Sequence, residues 1–325
     1  MLVDKFGRQI TYLRLAVTDR CNLRCFYCMP ECGIDFVPRS DLLSFEEIHR
    51  LALILVSEGI NKLRITGGEP FVRKDLMILL RSLRGIKGLK TLSVTTNGTL
   101  TAPHIAELKA LDVDVNLSLD SINPATNFTI TRRNDLDKTL DCLEGLTHSG
   151  IKTKVNMVVM DGVNSDEIGE MAQLAINSPV VVRFLEEMPF NGQSRPVNSR
   201  WDHQRIAKQL LSEFSELKQV ESKPGETAQL FTAPNWKGSL GIIASHSRTF
   251  CGTCNRLRIT AKGELRTCLY SNEELSLRDV MRSTSDDRKV VEFIQAAIQK
   301  KAINGFEAER TVSGTARESM ATIGG

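Results

Sequence analysis

Residues Tyr12 to Cys28 read YLRLAVTDRCNLRCFYC. The first six, Tyr12 to Val17, form a short, mostly apolar run, a strand candidate. Three cysteines then fall within eight residues, at Cys21, Cys25 and Cys28. Clustering of this kind reads as metal ligation, because thiolates suit zinc and iron–sulfur clusters. Structural zinc asks for a fourth protein ligand. Cys32 is near enough to serve, whereas the nearest histidine, His49, lies inside an expected helix. A 4Fe–4S cluster on three thiolates leaves one iron open and sets Tyr27 against whatever binds there.

Outward from this stretch the chain keeps a strand–helix rhythm. Ser44 to Glu47 form a capping box that opens a helix through about Glu58, ended at Gly59. Strands are expected at Lys62–Thr66, Thr91–Thr95, Val113–Leu119, Thr153–Met160 and Val180–Leu185. Helices are expected between them at about Asp75–Arg84, from Thr101 with Pro103 in its first turn, at Asp135–Ser149 and at Asp166–Ile176. Six such units predict a parallel α/β sheet. After about Pro189 the rhythm changes. Helices are expected at Trp201–Phe214, Leu275–Met281 and Lys289–Lys301, with short strands near Leu240–Ala244 and Leu257–Thr260. The expected fold is an incomplete (βα)6 TIM-like barrel over 1–189, closed by a C-terminal α+β extension over 190–325.

Parallel α/β folds do their chemistry at the C-terminal ends of strands. The cysteine loop follows the first strand, and Gly67-Gly68-Glu69-Pro70 follows the second. Thr95-Thr96-Asn97-Gly98 follows the third, Ser118-Leu119-Asp120 the fourth, and Glu186-Glu187-Met188 the sixth. Polar and glycine-rich residues thus gather on one rim. The C-x3-C-x2-C loop with an aromatic before its last cysteine, followed by the Gly-Gly-Glu-Pro turn, resembles the radical S-adenosylmethionine superfamily. The resemblance implies a cluster on Cys21, Cys25 and Cys28 whose open iron chelates S-adenosylmethionine. Electron transfer from that cluster would yield a 5′-deoxyadenosyl radical.

Composition limits the alternatives. Of 325 residues, 41% are apolar and 25% charged, the ordinary globular mix, and 42 basic against 39 acidic residues leave +3. So small a net charge argues against binding to nucleic acid or a membrane surface driven by charge. The opening MLVDKFGRQI has no apolar stretch behind it, and the longest clean apolar run is Leu51 to Val56. A cytoplasmic protein without a membrane span is expected. Eight cysteines in such a chain are not a disulfide set.

A second triplet, Cys251, Cys254 and Cys268, is spaced C-x2-C-x13-C. On spacing alone, with His246 as a fourth ligand, it is open to a zinc reading, and Cys251–Cys254 also to a redox pair. Arg256 and Arg258 follow on one side of a short strand. Arg14, Lys62, Arg64, Lys154 and Arg183 occupy other strand positions. Cations gathered inside a barrel need anions to balance them, and a triphosphate suits the bidentate geometry of arginine.

With Tyr12–Leu15 before Thr18–Cys21, the segment FCGTCNRLRIT and a closing Gly324-Gly325, the chain is similar to the GTP 3′,8-cyclase family of molybdenum cofactor biosynthesis. The resemblance implies conversion of GTP to (8S)-3′,8-cyclo-7,8-dihydro-GTP by hydrogen abstraction at ribose C3′ and attack on guanine C8. It assigns S-adenosylmethionine to Tyr27, Gly68, Ser118 and Met188. It assigns GTP to Arg14, Arg64, Thr95, Lys154 and the Arg256-Leu257-Arg258 run, with Lys62 and Arg183 as further pocket cations. A second 4Fe–4S cluster on Cys251, Cys254 and Cys268 would meet the guanine. Arg256, Arg258, Gly324 and Gly325 would support catalysis, the tail inserting toward the site. The implied partners are a low-potential electron donor, a downstream cyclic pyranopterin monophosphate synthase and a second copy in a homodimer. Three features depart from the family. Ala16 stands where relatives often carry serine, Gln193–Ser199 does not follow the pattern, and Ala302–Glu318 match it poorly. The competing readings are a peptide-modifying radical enzyme and a zinc-stabilised binding module.

Overall fold

The computed structural model describes residues 1–192, 200–221, 225–273, 275–311 and 318–324. Its strands in chain order are β1 (Tyr12–Ala16), β2 (Lys62–Thr66), β3 (Thr91–Thr96), β4 (Val113–Ser118), β5 (Thr153–Val159) and β6 (Val181–Glu186). They continue as β7 (Lys218–Val220), β8 (Ala228–Thr232), β9 (Ser239–Ile243), β10 (Arg256–Ile259), β11 (Glu264–Arg266) and β12 (Leu275–Ser276). The chain is α/β and its sheet is mostly parallel. It forms two compact units, one of Met1–Asn22, Ile34–Thr95 and Cys251–Gly325, the other of Leu23–Gly33 and Thr96–Phe250.

In the first unit the strand order is β12-β11-β10-β1-β2-β3. β1 lies parallel to both β2 and β10, and β2 parallel to β3. Register pairs Tyr12 with Lys62 on one side and Arg256 on the other, and Arg14 with Arg64 and Arg258. Successive side chains point to opposite faces, so these residues share a face and Leu13, Leu15, Leu63, Ile65, Leu257 and Ile259 share the other. All six of those aliphatics are at most 1% exposed. Helix Phe45–Ser57 buries Ile48, Leu51, Ala52 and Leu55 along one stripe and starts at the expected capping box, with Ser44 and Glu47 bonded reciprocally.

In the second unit the order is β4-β5-β6-β9-β8-β7, with β4, β5, β6 and β9 parallel. Both short strands expected late in the chain therefore exist as β9 and β10, each parallel to an earlier strand. The chain differs from the sequence reading in several places. β7, β8, β11 and β12 are antiparallel additions of two to five residues, too short and polar to show a period. Helix Pro124–Thr131 went unread because Thr126, Asn127, Thr129 and Thr131 hide its stripe; Asn123 caps it and Pro124 opens it. Thr101 does not cap the helix that follows it: its hydroxyl bonds Thr96 Oγ1 at 2.8 Å instead. The stretch expected as helix from Leu275 opens as β12, and the helix itself is Leu277–Ser283. Helices Gly305–Arg310 and Met320–Ile323 were not expected. No helix among the described residues is long and apolar enough to cross a membrane.

Candidate active site

The Gly-Gly-Glu-Pro turn leaves β2 and runs backbone against backbone along the segment that leads into Cys21. Gly68 N donates to Thr18 O at 2.8 Å and Glu69 N to Arg20 O at 2.8 Å. A Cβ on Gly68 would sit 2.3 Å from Arg20 O, and one on Gly67, at φ +147°, 2.3 Å from Thr18 O. Only glycine permits this approach. Asp19 Oδ2 accepts from Val37 N at 2.6 Å and holds the same segment from the far side.

Cys25 and Cys28 belong to the second unit. One turn joins them, with Cys28 N and Met29 N both donating to Cys25 O at 2.9 and 3.0 Å. The loop is pinned to helix Pro124–Thr131 through Arg24 N to Thr131 O and Phe26 N to Ile130 O. Between the two cysteines, Tyr27 donates its hydroxyl proton to Asp120 Oδ2 at 2.8 Å, and Asp120 Oδ1 accepts from Val158 N at 2.8 Å. Burial pushes the Asp120 carboxyl up to about 6, while the Val158 and Tyr27 hydrogen bonds pull the other way. Burial, then Asp120 and the flanking thiolates, hold the Tyr27 phenol well above its ordinary value. Ser118, Asn97, Thr99, Cys25, Tyr27 and Asp120 are among the residues that line one cavity of this unit. Met188 is half-buried in the turn after β6, where its carbonyl accepts from Phe190 N at 3.0 Å.

The first unit's shared face carries the cations. Arg64, Arg256 and Arg258 are buried there, and Arg14 and Lys62 are half-buried. They surround Tyr12: Lys62 Nζ lies 4.8 Å from its ring centre, with the guanidinium carbons of Arg64, Arg14 and Arg256 at 5.6, 5.7 and 5.8 Å. Among the described residues no carboxylate pairs with Arg14, Lys62 or Arg258. Arg14 Nε, Thr66 Oγ1 and Thr95 Oγ1 are buried there without a hydrogen-bond partner among the described residues. Buried cations and orphaned polar atoms on one face fit a polyanionic ligand with further hydrogen-bonding groups. Leu257 lies between the two arginines but points to the opposite face, so only its backbone is on this side. In the second unit, Arg183 Nη2 donates to Asn116 Oδ1 at 2.7 Å, and Asn116 is in register with Lys154.

The Tyr12 hydroxyl reports this electrostatic setting. Burial raises it, but Arg64, Arg14 and Lys62 outweigh burial and bring it from 10.0 down to about 7. The unfolded chain keeps this proton until pH 10, so the group's contribution to stability grows as pH rises from 7 to 10. The chain has three tyrosines, so a tyrosinate absorption step near pH 7 that vanishes in Tyr12→Phe is expected in a difference titration. A wild-type chain with no step below pH 9 would contradict it.

Cys251–Thr253 form a short helical turn, and Cys254 N donates to Cys251 O at 3.1 Å. Burial raises the Cys254 thiol, yet Lys301 and Arg256 bring it down to about 7, helped by Arg8. Arg256 Nη1 lies 4.0 Å from Cys254 Sγ. Lys301 is 2% exposed, and its ammonium donates to Arg256 O and Thr267 O. Arg8 donates to Cys251 O at 3.1 Å. Cys251, Cys254 and Cys268 form no disulfide. A thiolate held by buried cations fits an anionic ligand to iron. Among the described residues no three Cys, His, Asp or Glu side chains converge closely enough to grip a single ion. A cluster is larger than one ion and spaces its thiolates more widely.

The tail reaches this face. Ser319 caps helix Met320–Ile323, Glu318 grips Arg266 through both oxygens at 2.7 and 2.8 Å, and Arg258 Nη1 donates to Gly324 O at 2.9 Å. Gly324 takes φ +82°, and a Cβ there would stand 2.7 Å from the Ala16 Cβ. Gly325 and Gln193–Ser199 lie outside the described residues.

Comparison with known proteins decides the family. Residues 15–175 match the Radical SAM superfamily model, and residues 180–306 match Molybdenum Cofactor Synthesis C. A mitochondrial GTP 3′,8-cyclase of Arabidopsis thaliana is 42% identical over 327 residues, covering 100% of this chain and 84% of the relative. The chain belongs to the GTP 3′,8-cyclase family. A GTP 3′,8-cyclase of Rhodopirellula baltica is 41% identical over 321 residues, covering 95% of the chain and 88% of that relative. Human molybdenum cofactor biosynthesis protein 1 is 41% identical over 302 residues; the chain covers 48% of it, so it spans about half that relative's length. Among solved structures, Streptococcus suis SuiB bound to S-adenosylmethionine shares the fold, with a TM-score of 0.65 at 14% identity over 97% of this chain and 77% of that one.

For a member of this radical S-adenosylmethionine family, three residues of the site escaped the sequence reading. Tyr12 reads as one residue of a strand, Arg8 as one charge of the opening segment, and Lys301 as the end of an expected helix. The alternation of Tyr12 with Arg14 was visible; their positions relative to Lys62 and Arg256 needed the register.

Proposed function

We propose that the chain is a GTP 3′,8-cyclase, converting GTP to (8S)-3′,8-cyclo-7,8-dihydro-GTP in the first step of molybdenum cofactor biosynthesis. The observation that carries this is the cation face of β1, β2 and β10, in a chain 42% identical along its whole length to a GTP 3′,8-cyclase. Cys21, Cys25 and Cys28 would hold a 4Fe–4S cluster, which with S-adenosylmethionine would supply the oxidising radical chemistry. Arg14, Lys62, Arg64, Arg256 and Arg258 take the triphosphate, with Thr95, Lys154, Arg183 and the backbone at Leu257 as further contacts. Tyr27, Gly68, Ser118 and Met188 hold S-adenosylmethionine. Asp120 fixes the Tyr27 ring by its hydrogen bond and so fixes the turn that carries Cys25 and Cys28. Cys251, Cys254 and Cys268 hold a second 4Fe–4S cluster, with Lys301 and Arg256 stabilising the Cys254 thiolate. Gly324 seats the tail against Arg258, and Gly324 and Gly325 support catalysis.

On this reading 1–189 is an incomplete (βα)6 barrel and 190–325 the extension that closes it. The protein works in the cytoplasm as a homodimer, takes electrons from a low-potential donor and passes its product to cyclic pyranopterin monophosphate synthase. It needs neither nucleic acid nor membrane. The test is GTP-dependent 5′-deoxyadenosine formation by anaerobically reconstituted, dithionite-reduced protein. Formation with GTP and not with ATP is expected; equal, slow formation with either would remove the substrate assignment.

A further inference from the structure

We propose that Tyr12 is the positioning residue of the triphosphate site, its ring face acting as the hub that holds Lys62, Arg14, Arg64 and Arg256 in the arrangement GTP meets. This rests on the reading of that face as the nucleotide site. Tyr12 sits on the central strand of three, between Lys62 on β2 and Arg256 on β10 in the same register row. Arg14 follows two residues on, with Arg64 beside it. Four cations stand 4.8–5.8 Å from the centre of this one ring. Cross-strand neighbours on one face are only about 5 Å apart at Cβ, so the like charges gathered here repel one another.

An aromatic face is negative at its centre, and attraction to it survives desolvation better than water-screened pairing does. Tyr12 is 5% exposed, so its ring, with Arg64 and Arg256, is shielded from water. Below about pH 7, where its hydroxyl keeps the proton, the ring contributes this without a full charge that would compete with phosphate for the same cations. A carboxylate in its place would pair with them and exclude the ligand. The hydroxyl brought to about 7 is the same field seen from the oxygen. Tyr12 need not touch GTP to act; it sets where the four cations stand before the triphosphate arrives.

The experiment is titration calorimetry of the full chain with GTP, GDP and guanosine, on wild type, Tyr12→Phe, Tyr12→Leu and a chain with trifluorophenylalanine replacing Tyr12. The fluorinated ring keeps the shape of phenylalanine and empties its face of negative charge. Tyr12→Phe should bind GTP within threefold of wild type, a difference of at most about 0.6 kcal/mol. Tyr12→Leu and the fluorinated variant should each weaken GTP about tenfold, GDP less and guanosine not at all, with S-adenosylmethionine binding unchanged. The fluorinated variant keeps the test decisive if Tyr12→Leu fails to fold. GTP affinity equal in the fluorinated and Tyr12→Phe chains would overturn the proposal, as would equal losses for GTP and guanosine. A wild-type chain that binds no GTP would instead overturn the functional reading beneath it.

Discussion

Arg258→Ala is expected to lower GTP-dependent 5′-deoxyadenosine formation about a hundredfold while changing the stability of the folded chain by less than about 2 kcal/mol. Burial holds the Arg258 guanidinium well below its ordinary value, and Arg14 and Arg256 repel it. Its charge is therefore a burden on the folded state, which alanine removes. Against this stand the packing of its buried stem and one hydrogen bond, to Gly324 O at 2.9 Å, worth about 1 kcal/mol net. Activity loses both the bidentate grip on phosphate and the tether of the tail. Arg258→Lys keeps a charge but not the planar fork and should recover little. Thermal unfolding and product assays on the same preparations separate the two effects. Parallel loss of stability and activity would make Arg258 a structural residue, and activity within threefold would remove it from the site.

The second large effect is at Gly68. A methyl group there meets Arg20 O at 2.3 Å and Asp19 O at 2.8 Å, both rigid backbone atoms. The turn has to lift away, breaking the hydrogen bonds from Gly68 N and Glu69 N. Gly68→Ala is expected to cost about 3 kcal/mol in urea unfolding, and binding of S-adenosylmethionine with it. Gly85→Ala is the control. Gly85 has an ordinary φ of −69° at a helix end, and its added methyl finds only ordinary contact at 3.4 Å, so less than about 1 kcal/mol is expected. An unchanged unfolding midpoint for Gly68→Ala would mean that the turn is not locked to the cysteine segment.

What could be read in advance follows from the range of the interactions. Ser44–Glu47 is a local signal and the structure keeps it. Lys62–Thr66 was bounded correctly because alternation and flanking turns lie within the strand itself. Cys251–Cys254 and Cys25–Cys28 are each joined by one turn, which their spacing implied. The hub at Tyr12 was illegible because it depends on which residue of β2 and of β10 stands beside it, a matter of register between distant segments. Lys301 was missed for the same reason: its role exists only where the end of helix Asp287–Gln299 meets the carbonyls of Arg256 and Thr267. Gly324 could be suspected from its residue type, but its need for φ +82° against Ala16 required the fold.

GTP deuterated at C3′ tests the central claim most directly. The reduced, reconstituted protein is incubated with it and S-adenosylmethionine, and the 5′-deoxyadenosine is weighed by mass spectrometry. Hydrogen abstraction from ribose C3′ predicts 5′-deoxyadenosine carrying one deuterium, formed alongside a nucleotide of the cyclised structure. Unlabelled 5′-deoxyadenosine with GTP recovered intact would contradict the account.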